Sequence, residues 1–176
     1  MHTRVIKPKH GPRLLVRPLR RGDVDTVRAV FEHLGEESRR TRFNGPKPRL
    51  TDAELHDLAV VDSTRHVLVA YVEDDPRPVA IARLYRDGDS AEIAFAVVDA
   101  HQQRGIGSAL TAELVADARA AGIREITALV SSDNPAALAL LRRTLMVLDI
   151  SLEGPEYWIR AALAGPTPSP PPGLAA

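Results

Sequence analysis

No cysteine occurs in this chain of 176 residues. That absence excludes disulfides, thiolate metal sites and any thioester formed on the chain itself. Lysine is scarce: only Lys7, Lys9 and Lys47 stand among 23 basic residues, a bias expected of an arginine- and alanine-rich genome. No apolar run reaches the roughly 18 residues that a membrane-spanning helix needs, and the N-terminus lacks the apolar core of a signal sequence. The six histidines (His2, His10, His33, His56, His66, His101) include no helical i, i+4 pair, which speaks against a metal site. Neither charge is in surplus. Lys+Arg and Asp+Glu balance at 23 each, so overall charge offers nothing to nucleic acid or to an anionic membrane. The expectation is a soluble, cytoplasmic protein, long enough for one domain with a real core.

What is present is unevenly placed. Residues 1–50 carry a net charge of +8, residues 51–100 carry −7, and the remainder −1. A basic third beside an acidic one either steers a charged substrate or pairs internally, and the sequence does not choose between the two.

The periodicity gives the element order. Residues 1–12, basic and broken by Pro8, Gly11 and Pro12, read as a flexible arm. Leu14–Pro18 is a short strand. A helix begins at Gly22-Asp23, with Val24, Val27, Val30, Phe31 and Leu34 on one face. Glu36-Glu37-Ser38 opens a second, shorter helix, and Thr51-Asp-Ala-Glu54 has the capping-box pattern of a third, running to about Val61. Strands at 65–72, 78–86 and 90–98 form an antiparallel meander, with Asp87-Gly88-Asp89 as a hairpin turn. A helix over about 104–121 is stopped by Gly122, and a strand at 124–131 lies parallel to that at 90–98 because a helix crosses between them. Asn134-Pro135 starts a helix to about Leu145, and strands 147–152 and 156–162 pair around Gly154-Pro155. Residues 164–176 are a Pro-rich tail expected to be disordered.

The chain is organised around Gln102-Gln103-Arg104-Gly105-Ile106-Gly107-Ser108, where the third meander strand turns into a helix. Glycines at a helix start leave free N–H groups and partial positive charge, a ready anion site, and Arg104 adds a full charge. The expected guest is a phosphate or pyrophosphate; the plain alternative is a strand-to-helix turn. The pattern is neither Gly-x-Gly-x-x-Gly nor a P-loop.

The element order and four motifs resemble the GNAT N-acetyltransferase superfamily over about residues 13–163. Gln102 to Gly107 matches that family's acyl-CoA pyrophosphate loop, (Arg/Gln)-x-x-Gly-x-(Gly/Ala), and Asn134 matches an asparagine that contacts the cofactor. Glu37-Ser38-Arg39-Arg40-Thr41-Arg42-Phe43 and Ala91-Glu92-Ile93-Ala94 are similar to segments of bacterial protein lysine acetyltransferases. The resemblance implies an α/β (α+β) fold: a mixed, mostly antiparallel sheet of six to seven strands flanked by helices, with a parallel, splayed pair at the cofactor site. It implies acetyl-CoA as cosubstrate, held by Phe95, Ala96 and Val97 along the pantetheine arm. Gln102, Gln103, Arg104, Gly105, Ile106, Gly107 and Ser108 would serve the pyrophosphate, together with Asn134. It implies Glu92 as general base and Arg39, Arg42 and Phe43 bordering the acceptor groove, and it allows a homodimer.

Without cysteine the acetyl group must pass directly to the amine. From strand position alone, Glu92 reads as a solvated residue answering Arg83 or Arg86 across the hairpin; the family match makes it the base, with Ala94 and Ala96 on its face leaving room, unless a bulge changes the parity. Leu141 stands where many GNAT enzymes carry a tyrosine acid, a departure shared with the lysine acetyltransferases, and Leu145-Met146 replaces the usual Gly-Phe. Arg40 reads as a partner of nearby acidic residues, His101 as packing, and at most one of Tyr157 and Trp158 as groove lining. The acceptor is expected to be a protein lysine, with a small amine (polyamine, amino sugar or antibiotic) as the alternative and a non-catalytic acyl-CoA sensor as the rival outside enzymes. Regulated members often carry a nucleotide-binding domain, and none is expected within these 176 residues.

Overall fold

A computed structural model describes residues 3–163, and the Pro-rich tail expected at 164–176 lies outside the described residues. Strands β1 (Arg4–Ile6) and β2 (Leu14–Pro18) come first. Asp23 caps α1 (Val24–Glu32), accepting the Thr26 amide at 3.1 Å. α2 (Glu36–Phe43) ends where Asn44 turns left-handed, at φ 56°. The predicted capping box of Thr51 and Glu54 is formed at the head of α3 (Asp52–Leu58). That helix stops short of the expected Val61 because the Asp62 carboxylate gathers the amides of Thr64 and Arg65 into the turn before the next strand.

β3 (Arg65–Val72), β4 (Pro78–Asp87) and β5 (Ser90–Val97) are the meander. A single 3₁₀ turn (Asp99–His101) leads to α4 (Ile106–Ala120) and β6 (Glu125–Ser131). α5 (Pro135–Thr144), β7 (Met146–Glu153) and β8 (Glu156–Ala162) complete the order. One eight-stranded sheet results, ordered β1-β2-β3-β4-β5-β6-β8-β7, with β5–β6 its parallel pair.

The sheet thus has one strand more than the upper end of the expected range. The extra strand is β1, inside the segment expected as a flexible arm: Arg4, Val5 and Ile6 pair with Val16, Leu15 and Leu14. Arg4 is fastened further by ion pairs to Glu113 at 2.9 Å and Asp117 at 2.6 Å on α4, and Pro8 is buried. The prolines and glycine of this segment shape the connection between the edge strand β1 and its neighbour β2.

The sheet has a core on each face. One holds Leu68, Leu84, Ile93, Ile106, Leu110, Leu114, Ile126, Leu141 and Ile159, beneath α4 and α5. The other holds Val27, Val30, Leu34, Leu55, Val67, Val69, Ile81 and Ala96, beneath α1 and α3. Arg83 lies in the second core at 3% exposure, its guanidinium donating to the Leu58 carbonyl. β7 is an edge strand with Met146, Leu148 and Leu152 each more than half exposed, interrupted by the exposed acids Asp149 and Glu153.

Leu110 is 1% exposed while Leu148 is 54% exposed. Leu110→Ala is expected to cost about 2–5 kcal/mol in urea denaturation, and Leu148→Ala to stay within about 0.5 kcal/mol. Equal effects from the two would contradict this placement of the core.

Candidate active site

The parallel pairing of β5 and β6 is brief. Ser90, Ala91 and Glu92 pair with Glu125, Ile126 and Thr127, and the strands then part. β5 continues along β4 as far as Val97 opposite Ala80, while β6 follows β8 as far as Ser131 opposite Glu156. Between them opens a cleft of about 690 Å³. Ile93–Val97 form one wall and Ala128–Ser131 the other, with Leu140 and Leu141 of α5 and with Leu34, Ser38 and Arg42 from the α1–α2 side. Its size and mixed lining suit a small-molecule ligand. The β4–β5 register is continuous, so side chains alternate along β5 without a bulge.

At one end the cleft meets the turn into α4. Gln103 (φ 58°) and Gly105 (φ 74°) are both left-handed, which bends the backbone into a concave run of amides. Gly105 is the N-cap of α4 and no side chain caps that helix. The amides of Gln103 to Ser108 accordingly have no acceptor among the described residues. Unpartnered donors at a helix N-terminus fit a pyrophosphate. Across the cleft Asn134, a lining residue, caps α5, its Oδ1 accepting the Ala137 amide at 3.0 Å.

Residues 28–145 match the Acetyltransferase (GNAT) family. The chain belongs to the GNAT acetyltransferase family. Acetyltransferase Pat of Mycolicibacterium smegmatis is 34% identical over 143 residues, which cover 78% of this chain. The match spans only 42% of that protein's own length. Acetyltransferase PA5475 of Pseudomonas aeruginosa is 29% identical over 132 residues, covering 72% of this chain and 70% of that protein. Among solved structures, the GNAT domain of S. lividans PAT superposes with a TM-score of 0.83 at 29% identity, covering 92% of this chain and 97% of that one.

Within this GNAT fold the expected cofactor residues converge, with one exception. Phe95, Ala96, Val97, Gln102, Gln103, Gly105, Ile106, Gly107, Ser108 and Asn134 all line the cleft, whereas the exposed Arg104 side chain does not. The Gln102 amide has an internal task. Its Nε2 donates to Ser38 Oγ and the Val97 carbonyl, both at 3.0 Å, and lies 3.3 Å from Asp99 Oδ1. That side chain ties α2 to the loop, and the loop's backbone is what faces the cleft.

Glu92 sits on the last paired rung, opposite Tyr85 on one side and Thr127 on the other. It is exposed and makes no hydrogen bond or ion pair among the described residues; Arg83 turns to Leu58 and Arg86 to Gly88. It is therefore not the cross-hairpin partner that strand position alone suggests. Arg42 does line the cleft, half-buried. Burial lowers its pKa from the ordinary guanidinium value, while Tyr85 and Glu92 pull it back. Burial, with the Arg42 charge second, likewise lowers Arg83. Both stay charged at neutral pH.

Two of the expected groove residues lie elsewhere. Arg39 is turned away from the cleft: it stacks over Phe31 at 4.5 Å and donates to the Pro48 and Glu32 carbonyls, each at 3.0 Å, tying α2 to α1 and the following loop. Phe43 packs edge-on against Phe31, with centroids 5.7 Å apart. Both were drawn toward the groove by sequence neighbourhood, but on a helix they occupy the face turned to α1. Arg40 pairs with Glu37 at 2.7 Å and also with Asp133 at 3.1 Å, joining α2 to the β6–α5 loop. Leu141 is fully buried, and neither Tyr157 nor Trp158 lines the cleft. Sequence reasoning missed Ser38, Thr41 and Asp133 as lining residues, since nothing in their local pattern announces a cleft made by distant strands.

His101 does more than pack: it lines the cleft, and its Nδ1 is buried without a partner. Burial, followed by the Arg104 charge, holds its pKa below the ordinary 6.5, with Arg77 adding and Asp75 opposing. The unfolded chain then binds more protons just below that value, so this residue's contribution is complete above about pH 6.5 and is lost as pH falls. His101→Gln is expected to flatten the fall in urea midpoint between about pH 7.5 and pH 5. An unchanged slope would remove His101 as its source.

Proposed function

We propose that this GNAT chain transfers an acetyl group from acetyl-CoA directly to an amine, a protein lysine in the first instance, in the cytoplasm. The observation that carries the reading is the parting of β5 and β6 immediately beyond Glu92, whose unpaired carboxylate does not itself line the cleft but acts on Arg42, which does. Gln103 to Ser108 would hold the pyrophosphate through their amides, and Phe95 to Val97 the pantetheine arm through the unpaired side of β5.

The chemistry asked of the chain is modest. An amine reaches the thioester as an ammonium ion and must lose a proton before its nitrogen can attack the carbonyl carbon. Glu92 takes that proton, directly or through one water. The new C–N bond forms as oxygen gains negative charge, and an amide of the Phe95–Val97 strand stabilises that charge. The C–S bond then breaks; the nitrogen gives up its second proton, which water carries to the departing CoA thiolate, since Leu141 provides no acid. Arg42, beside Glu92, keeps the local charge balanced and offers a donor to an acidic group on the acceptor. The likeness of the Glu37–Phe43 segment to bacterial protein lysine acetyltransferases supports the protein acceptor.

Glu92→Gln is expected to lower kcat on a lysine peptide by about 10²–10⁴-fold, with CoA affinity in calorimetry unchanged. Full turnover by the variant would sink the general-base assignment. Turnover confined to polyamines or amino sugars would move the acceptor to the small-amine class, and CoA binding without turnover of any amine would favour a sensor.

A further inference from the structure

One surface at the cofactor end has no part in the transfer chemistry above. The segment between β1 and β2, residues 7–13, lies against the glycine turn. Pro8 is buried, and its Cβ is 3.4 Å from where a Cβ on Gly105 would stand. Gly11 approaches so closely that any side chain there would overlap the Arg104 carbonyl oxygen. Both ends of the segment are fixed, by the ion pairs of Arg4 to α4 and by the pairing of β2 with β3. The segment is thus built onto the outer side of the loop whose amides are unpartnered.

Its charges are the notable part. The chain has only three lysines, and two of them, Lys7 and Lys9, flank the buried Pro8. Both are exposed, and neither has a carboxylate within ion-pair distance among the described residues, whereas Arg13 farther along pairs with Glu73 at 3.4 Å. Arg104, on the loop itself, is also exposed and unpaired among the described residues. Backbone amides of a short turn are matched by the two phosphates of one pyrophosphate. A further phosphate on the same ligand needs charge from another element, and the segment at 7–13 is the element packed there.

We propose that Lys7 and Lys9 form a subsite for a phosphomonoester, the 3′-phosphate of the CoA ribose. The inference rests on the acyl-CoA reading given above. A phosphomonoester carries nearly two negative charges at neutral pH, and ammonium groups on flexible stems suit it as point charges without fixed geometry. The subsite supplies affinity and discrimination between cofactors, and takes no part in acetyl transfer.

The test is calorimetry of the full chain with CoA and with 3′-dephospho-CoA, for wild type, Lys7→Ala/Lys9→Ala and Lys7→Arg/Lys9→Arg. Wild type is expected to prefer CoA by about fivefold or more, with the preference shrinking as salt rises. The alanine pair is expected to bind both ligands within about twofold, at the wild-type affinity for dephospho-CoA, and the arginine pair to keep the preference. Wild-type binding of both ligands without preference, or a preference that survives in the alanine pair, would overturn this subsite and leave the acyl-CoA reading standing. Failure of wild type to bind either ligand would overturn both.

Discussion

The structure depends on where two parallel strands stop bonding to each other. Glu92 opposite Thr127 is the last rung between β5 and β6. Had the ladder continued, the backbone groups of Ile93–Val97 and Ala128–Ser131 would be paired, and the sheet would be closed from edge to edge. Because each strand turns to its other neighbour, a bonded sheet acquires a slot with backbone donors and acceptors on its walls. α4 and α5 start at the open end of that slot, where uncapped or side-chain-capped N-termini aim partial positive charge inward. The same parting leaves Glu92 at the edge with nothing to pair with.

Charge is handled in two ways. Much of the polarity between the basic first third and the acidic second is cancelled locally: Arg28 meets Asp52, Lys47 meets Glu54, and Arg13 meets Glu73. These are mainly surface pairs of small individual value, but they remove the impression of a uniformly basic N-terminal region. The basic residues left without a carboxylate partner among the described residues include Lys7 and Lys9 near Gly105, Arg42 and Arg83 toward Glu92, and the exposed Arg20, Arg21 and Arg49. Of the two expectations raised by the charge pattern, internal pairing describes Arg4, Arg13, Arg17, Arg28, Arg40 and Lys47, and an unpaired field describes the rest.

Much of the fold was legible because its signals are local. Period-2 strands, the Thr51–Glu54 box, Asn134-Pro135 and Gly122 each act within a few residues, and β2, β3 and β8 fall where periodicity places them. β1 was not legible. Three residues among prolines, glycine and lysines show no alternation to read, and the strand is stabilised by Glu113 and Asp117, which lie a hundred residues away in sequence. At the candidate site, the place of the glycine turn at the head of α4 and of Glu92 on β5 could be read from motif and strand pattern. The roles of Arg39, Phe43 and Gln102 could not, because helix facing and cross-loop hydrogen bonds depend on how α2 docks, and α2 has no buried residue of its own to betray its orientation.

The contact of Arg4 with α4 spans 109 residues to Glu113 and 113 to Asp117. Its formation closes a loop that contains most of the chain, and it can form only once α4 has docked on the sheet. Contacts of such long range carry a loop-closure cost that must be met before they contribute anything. The β1–β2 pairing is short-range, so it is the Arg4 ion pairs alone that carry this cost while they help hold Pro8 and Gly11 on the glycine turn. The outer side of the glycine turn is in this sense tied down at two ranges at once, by a neighbouring strand and by a helix more than a hundred residues along the chain.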